Sequence, residues 1–260
     1  MLVIADNLNV RNAVWREALK KQDRKAIETL AQELTALGAD MISVQTSSDG
    51  SGDEDALPFA VEALQHDTAL PLCLDSRNLK ALRRAVSVTK EPPLINYLSA
   101  DEKKSDDILR LVRESKSSLV LRALKGTVPV TLEARLLILE NLLEQANAAD
   151  IPNERLYADP SVVHIGGGSG QEHLQHAHES LNALHSLIDP PINTTVWVSN
   201  VTAGLPQKTR SLVASSFLTY LAGAGLTAAF LDVRDRELMK AVYLIRTFRD
   251  ETVFTPADLA

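Results

Sequence analysis

Apolar and polar positions form two kinds of pattern that alternate along the chain. Short runs rich in Val, Ile and Leu predict β-strands, and longer stretches with apolar residues at helical spacing predict α-helices. The predicted strands lie near residues 2–5, 40–45, 71–74, 93–96, 118–123, 155–158, 194–199 and 227–231. The predicted helices lie near residues 24–37, 55–66, 77–87, 102–115, 131–148, 171–187, 208–222 and 235–247.

The regular alternation of these segments predicts an α/β fold with a parallel sheet covered by helices. An open, doubly wound sheet would alternate in the same way. The chain has 260 residues and no long linker, and a closed (β/α)8 barrel commonly takes about 250 residues as one domain. We therefore expect a TIM barrel that forms a single domain over residues 1–260.

Five of the predicted strands end on Asp or Asn. Because a parallel barrel gathers the carboxyl ends of its strands on one face, these side chains are expected to converge there. Any one of them alone is equally well explained as a helix cap or a turn residue. Their number favours a shared site, together with Asn9, Gln45 and Ser199 at comparable depth. The five residues are Asp75, Asn96, Asp159, Asn200 and Asp232.

The chemistry of this predicted ring suits a neutral heterocycle rich in N–H donors. Carboxylates accept paired hydrogen bonds, and Asn supplies a donor and an acceptor together. A phosphate ligand would instead call for cations or for glycines at a helix N-terminus, and few cations accompany these strand ends. The glycine-rich segment Gly166–Gly170 lacks the last glycine of a dinucleotide motif, so we expect a mobile loop over the barrel mouth.

Charge and the length of apolar runs indicate which binding partners and which cellular location to expect. The net charge of −7 argues against nucleic acid and against an anionic membrane surface, since both reward basic proteins. The sequence shows neither a leader segment nor an apolar run near the roughly 18–20 residues that span a bilayer. We expect a cytoplasmic protein. The single Cys73 excludes an internal disulfide.

Clusters of basic residues and histidines are predicted to lie on the surface. His173, His176 and His178 do not have the i, i+4 spacing of a zinc pair, so a solvated helix face is expected and no metal site is predicted. The short pairs Arg83-Arg84 and Lys103-Lys104 are expected to be solvated, and acidic residues flank Lys103-Lys104.

Four motifs, taken in order, resemble the pterin-binding methyltransferases. They are Leu-Cys-Leu-Asp-Ser (72–76), Ile95-Asn96, Tyr-Ala-Asp-Pro (157–160) and Ser-Asn-Val-Thr-Ala-Gly-Leu-Pro (199–206). The similarity is closest to methyltetrahydrofolate:corrinoid protein methyltransferases and to the methyltetrahydrofolate domain of cobalamin-dependent methionine synthase. It extends over essentially the whole chain.

The resemblance implies an enzyme, usually a homodimer, that passes a methyl group from methyltetrahydrofolate to cobalamin carried by a separate corrinoid protein. It implies that Asp75, Asn96 and Asp159 hold the pterin ring. Asn200 would face the methyl-bearing N5 as the catalytic residue, and Ser199 would belong to the surrounding hydrogen-bond network. Asn9 and Gln45 are expected to complete the pterin site.

Two segments depart from the family pattern. Ser43-Val44-Gln45 stands where an Asp-x-Asn is usual, and Asp6-Asn-Leu-Asn9 replaces Glu-Arg-Ile-Asn. The missing strand-two carboxylate leaves open a folate-binding barrel without turnover. A dihydropteroate synthase is a second alternative, but it calls for phosphate-handling Lys and Arg residues that the late strands lack. An unrelated barrel with ordinary turn residues is the third.

Overall fold

Eight parallel strands close into a barrel in the order in which they occur along the chain. The computed structural model describes residues 1–101 and 105–259. The strands are β1 (Leu2–Leu8), β2 (Met41–Gln45), β3 (Leu72–Asp75), β4 (Leu94–Ser99), β5 (Ser118–Arg122), β6 (Leu156–Asp159), β7 (Asn193–Trp197) and β8 (Ala228–Leu231). Pairing of β1 with β8 completes the closure. The predicted TIM barrel is confirmed.

Helices follow the strands and form the outer layer. Within the described residues they are α1 (Ala13–Lys21), α2 (Arg24–Ala36), α3 (Asp53–Asp67), α4 (Leu79–Val88), α5 (Ser105–Ser115), α6 (Leu132–Ala148), α7 (Gly170–Leu187), α8 (Gln207–Gly223) and α9 (Arg236–Phe248). The start of the predicted helix 102–115 and the pair Lys103-Lys104 lie outside the described residues. Along the described chain, no helix is both long and apolar enough to cross a membrane.

Several elements differ from the sequence predictions; β1, for example, extends to Leu8 instead of ending at residue 5. Helix α1 was not predicted; it starts because the Asn12 side chain accepts hydrogen bonds from Val14 N and Trp15 N, as N-caps do. The strand predicted over 194–199 ends at Trp197, and a 3₁₀ turn follows over Val198–Thr202. Asn200 therefore sits on a turn beyond the strand end.

The two-residue period of the strands separates an inner core from an outer one. One buried cluster fills the barrel interior with residues such as Ile4, Cys73, Val120 and Phe230. The intervening strand residues, such as Val3, pack outward with the apolar faces of the helices. A residue two positions beyond an inward-facing apolar side chain therefore points toward the carboxyl mouth of the barrel.

The histidines of α7 are not a uniformly solvated face. His173 is buried, and its Nδ1 lies 2.7 Å from Arg135 Nη2. His176 Nδ1 lies 2.7 Å from the Val130 carbonyl oxygen, and the His178 ring stacks on Tyr220. The expectation of a solvated face is wrong for His173, because the buried Arg135 forms a hydrogen bond with its ring nitrogen. Among the described residues, no three His, Cys, Asp or Glu residues are grouped so as to hold a metal ion.

Candidate active site at the barrel mouth

Strand register places polar residues side by side at the top of the barrel interior. Gln45 pairs with Asp75, Asp75 with Asn96, and Arg122 with Asp159 on neighbouring strands. In each case the polar residue follows an inward-facing side chain by two positions, as Asp75 follows Cys73. The site is thus the last interior layer of the barrel.

A cavity of about 380 Å³ opens above this layer. It brings together six of the residues predicted from sequence, which lie on β2, β3 and β4 and in the segments that follow β1 and β7. These are Asn9, Gln45, Asp75, Asn96, Ser199 and Asn200. The lining also contains residues that the sequence reasoning missed, namely Asp6, Arg11, Arg77, Tyr97, Arg122 and Trp197.

Two strand-end carboxylates do not line the cavity. Asp159 is only 1% exposed and lies behind Arg122. Asp232 is exposed and accepts hydrogen bonds from Asn7 Nδ2 and Arg234 N. Asp232 therefore stabilises the turn after β8, which is the ordinary role of such a residue.

Asp75 is held at the cavity wall by amide donors. Gln45 Nε2 donates to Asp75 Oδ2 at 2.8 Å, and Asn96 also hydrogen-bonds this carboxylate. Burial raises the pKa of Asp75 to about 7, with a further contribution from the nearby charge of Asp6. Near neutral pH this carboxyl can therefore hold or release a proton.

Asn96 presents an acceptor without a partner. Its Oδ1 is buried and receives no hydrogen bond from the described residues. Such an atom costs free energy unless a ligand or water satisfies it. Since Asn96 lies on the cavity wall, a ligand N–H donor fits this position.

Asp6 lies on β1, above Ile4 of the barrel interior. Ser199 Oγ donates to Asp6 Oδ2 at 3.3 Å, and Trp197 and Asn9 also hydrogen-bond the carboxylate. Burial raises the pKa of Asp6 to about 6, and these hydrogen bonds oppose the rise. The cavity thus contains two carboxyl groups that titrate near neutral pH.

Arg122 separates the cavity from Asp159. Its Nε lies 3.5 Å from Asp159 Oδ2 and donates to Ser161 Oγ at 3.2 Å. Its guanidinium carbon lies 4.8 Å from the ring centroid of Tyr97 and 6.0 Å from that of Trp197, within the range of cation–π attraction. The expectation of a ring with almost no cations is wrong at this position.

Arg135 fixes the segment that follows Asp159. The guanidinium is fully buried and donates to the carbonyl oxygens of Pro160 and Ser161. Burial lowers its pKa to about 10. Because an arginine can only donate, His173 Nδ1 must accept, which leaves this histidine neutral with its proton on Nε2.

A second, larger groove continues from the cavity. It has a volume of about 1,020 Å³ and extends across the loops that precede α3 and α4. The two hollows share Asp75, Ser76, Arg77, Asn96 and Tyr97. A ligand larger than a bicyclic ring could therefore pass from the mouth into the groove.

Two relatives are similar to this chain in sequence. The chain is 25% identical over 251 residues to a methylcorrinoid:tetrahydrofolate methyltransferase of Eubacterium limosum, covering 94% of this chain and 89% of the relative. It is 22% identical to the methionine synthase of Mycobacterium leprae, covering 89% of this chain but 20% of that protein.

Solved structures show the same fold. A dihydropteroate synthase from Xanthomonas albilineans superposes with a TM-score of 0.72 at 20% identity, covering 95% of this chain and 92% of that one. The family described as pterin binding enzymes matches residues 7–232, a range that includes Gln45, Asp75, Asn96 and Asn200 of the cavity. The chain belongs to the pterin binding enzyme family.

Proposed function

We propose that this protein is a methyltransferase that moves a methyl group between N5 of tetrahydrofolate and the cobalt of a corrinoid carried by a partner protein. The observation that carries the proposal is that one cavity joins Asp75 and Asn96 to Ser199 and Asn200. The similarity to a methylcorrinoid:tetrahydrofolate methyltransferase over 94% of the chain supports it.

Asp75 and Asn96 hold the pterin ring in this proposal. The unpartnered Asn96 Oδ1 takes a ring or amino N–H, and Asp75 accepts a pair of N–H donors, with Gln45 and Asn9 alongside. Asp159 joins them once the pterin displaces Arg122, since a guanidinium and a 2-aminopyrimidine edge offer similar paired donors to a carboxylate.

Asn200 faces N5 and acts on the transition state. An amine nitrogen is a poor leaving group unless it gains positive character as the methyl group departs. A hydrogen bond that strengthens only as this charge develops lowers the barrier without tightening substrate binding. Loss of one such preorganised contact costs on the order of 10²–10³ in rate.

The corrinoid is a substrate that arrives on its own protein and supplies the cobalt nucleophile or the bound methyl group. This chain needs only to bind folate, orient N5 and leave the barrel mouth accessible. We further propose that residues 1–260 act as one domain, that the protein is cytoplasmic and that it forms a homodimer.

Folate titration and a methyl-transfer assay test the proposal together. Methyltetrahydrofolate should bind in calorimetry, and reduced cobalamin should gain the methylcobalamin spectrum when both are mixed with the protein. Asn200→Ala should keep folate affinity within a few fold and slow transfer by about 10²–10³. Asn141→Ala, at an exposed site on α6, is the control and should match the parent.

Two alternatives give different results in the same assays. Folate binding without transfer, even with a corrinoid protein supplied, would mark a non-catalytic folate-binding barrel. A dihydropteroate synthase activity is favoured by one observation, the three arginines Arg11, Arg77 and Arg122 around the cavity. Formation of dihydropteroate from 4-aminobenzoic acid and a phosphorylated dihydropterin would establish it, and we expect none.

A further inference from the structure

The proposed reaction must move a proton as well as a methyl group. Tetrahydrofolate carries a hydrogen on N5, and N5-methyltetrahydrofolate does not. When N5 takes a methyl group, the N5 lone pair forms the new N–C bond and the methyl–cobalt bond breaks with its electron pair remaining on cobalt. The N5 proton must then leave, and in the reverse direction a proton must arrive.

Two carboxylates line the cavity among the described residues, Asp6 and Asp75. Asp75 is bound by the amides of Gln45 and Asn96 on β2 and β4, the side that receives the pterin in the proposed function. Asp6 is bound by Ser199 instead. The two acids therefore have different hydrogen-bond partners within one cavity.

Ser199 connects Asp6 to the catalytic position. It directly precedes Asn200 in the turn after β7, and Thr202 Oγ1 donates to the Ser199 carbonyl oxygen at 3.1 Å, which fixes that turn. The Ser199 hydroxyl donates to Asp6, which leaves its oxygen lone pairs free to accept from an N–H group beside Asn200. Strand β2 offers Ser43 and Gln45 but no carboxylate at this depth.

We propose that Asp6 exchanges the N5 proton with bound folate through the Ser199 hydroxyl, an assignment that rests on the proposed function. As N5 is methylated, its proton passes to Ser199 Oγ while the Ser199 proton passes to Asp6. In the reverse direction, protonated Asp6 returns a proton along the same path as the methyl group leaves N5. No additional oxidant, reductant or base is required.

The surroundings of Asp6 suit a group that works in both directions. Burial places its pKa at about 6, and an acid–base group is most effective near the working pH. The charged or titratable groups that face it are Asp75 of β3, Arg11 after β1, Arg122 of β5 and the buried thiol of Cys73. Asp75 shares the cavity, and its pKa of about 7 depends in part on the charge of Asp6.

The test compares the parent, Asp6→Asn, Asp6→Glu and Ser199→Ala in both directions of transfer. In the parent, kcat for methylation of tetrahydrofolate should rise with pH near 6, because Asp6 must be ionised to accept the proton. Demethylation should fall over the same range. Asp6→Asn should lower kcat by about 10²-fold, the lower end of acid–base contributions, and remove both dependences.

Three further readouts separate a proton relay from a structural role. Asp6→Glu should recover part of kcat and the pH dependence, Ser199→Ala should lose the same dependence, and folate affinity should change by less than about threefold. Asp232→Asn, outside the cavity at the same barrel edge, is the matched control and should behave as the parent. Urea unfolding of each variant verifies that it is folded.

The outcomes are distinct. An active parent with an Asp6→Asn variant of unchanged kcat or unchanged pH profile overturns this assignment and leaves the proposed function standing. A reduced kcat with the pH dependence intact also overturns it, because that pattern reports structural damage alone. A parent that binds folate but transfers no methyl group in either direction removes both proposals.

Discussion

At the scale of single residues, the two cavity carboxylates destabilise the folded state when they are charged. The pKa of Asp75 is raised from 3.8 to about 7, mainly by burial. Between these two pH values the folded protein holds a proton that the unfolded chain has lost. The free energy of unfolding therefore decreases as pH rises through this window.

Asp75→Asn should be more stable than the parent at pH 8 and equal to it near pH 4. The asparagine stays neutral and can still accept from Gln45, so the charge penalty disappears at high pH. We expect a gain of about 1–3 kcal/mol at pH 8. Urea unfolding at both pH values measures it, with Asp232→Asn as a control. The same gain at both pH values would contradict burial of the charge as the cause.

Arg122 should affect folding and binding in opposite directions. Removing its guanidinium in Arg122→Met leaves Asp159 buried without its cation, so the free energy of unfolding should fall by about 1–3 kcal/mol. If the pterin replaces the guanidinium at Asp159, folate should then bind more tightly than in the parent and restore part of the loss. Thermal unfolding with and without folate measures both effects.

Arg122→Lys keeps the charge and serves as the matched variant. A tenfold weaker folate affinity in Arg122→Met would show instead that the guanidinium itself binds the ligand, and Asp159 would then have no part in the site.

At the scale of elements, a buried carboxylate joins the loops that follow the neighbouring strands β2 and β3. Asp53, the first residue of α3, accepts from Thr46 Oγ1 at 2.6 Å after β2 and from Ser76 Oγ after β3. Since Asp53 is fully buried, its removal leaves two hydroxyl groups without their acceptor. The helix start thus positions two loops that line the cavity.

Asp53→Ala should lower the free energy of unfolding by about 2–3 kcal/mol and weaken folate binding, because the loop that carries Ser76 loses its support. The matched control is Asp55→Ala in the same helical turn. Its side chain is 87% exposed and pairs with the exposed Arg84, so an effect within about 0.5 kcal/mol is expected. Equal effects of the two variants in urea unfolding would show that Asp53 does not hold the two loops in place.

The approximate positions of most helices and strands could be predicted from the spacing of apolar residues along the sequence. Helix α4 was predicted over 77–87 and begins at Leu79, because Asn78 caps it by accepting from Lys80 N and Ala81 N. Helix α1, which has nine residues, was not among the predicted helices. Its place is fixed by a tertiary contact, Trp15 Nε1 donating to the Gln45 carbonyl oxygen at 2.8 Å.

At the scale of the whole molecule, the site was partly predictable because closure of the barrel converts strand ends into neighbours. Asp75 and Asn96 followed from that rule. Arg122 was missed although it ends the run Leu-Val-Leu-Arg just as Asp75 ends Leu-Cys-Leu-Asp, since only Asp and Asn were sought. Asp6 directly follows the predicted strand 2–5, as Asp75 follows 71–74, but it was named only as part of the segment Asp6-Asn-Leu-Asn9 that departs from the family pattern. The position of Arg122 in front of Asp159 depends on side-chain packing, which strand periodicity does not encode.

The outer face of α8 bears on the proposed homodimer. Leu212 is 69% exposed and Tyr220 is 46% exposed. Both border an apolar groove between α7 and α8 that also contains Leu174, Val213 and Phe217. Exposed apolar residues that cluster in this way are typical of protein–protein contacts, whereas single ones are ordinary on monomers.

Light scattering on the parent should give twice the chain mass of 28.4 kDa if this face joins two copies. Leu212→Glu should then give the monomer, because a twofold interface meets the same residue twice and buries two unpaired charges. Phe248→Glu is the control, since Phe248 is 77% exposed at the end of α9 and away from this groove.

The monomeric variant should bind folate with parental affinity, because the cavity residues all come from one barrel. A parent that is monomeric at micromolar concentration would contradict the dimer, and a Leu212→Glu variant that remains dimeric would place the contact elsewhere.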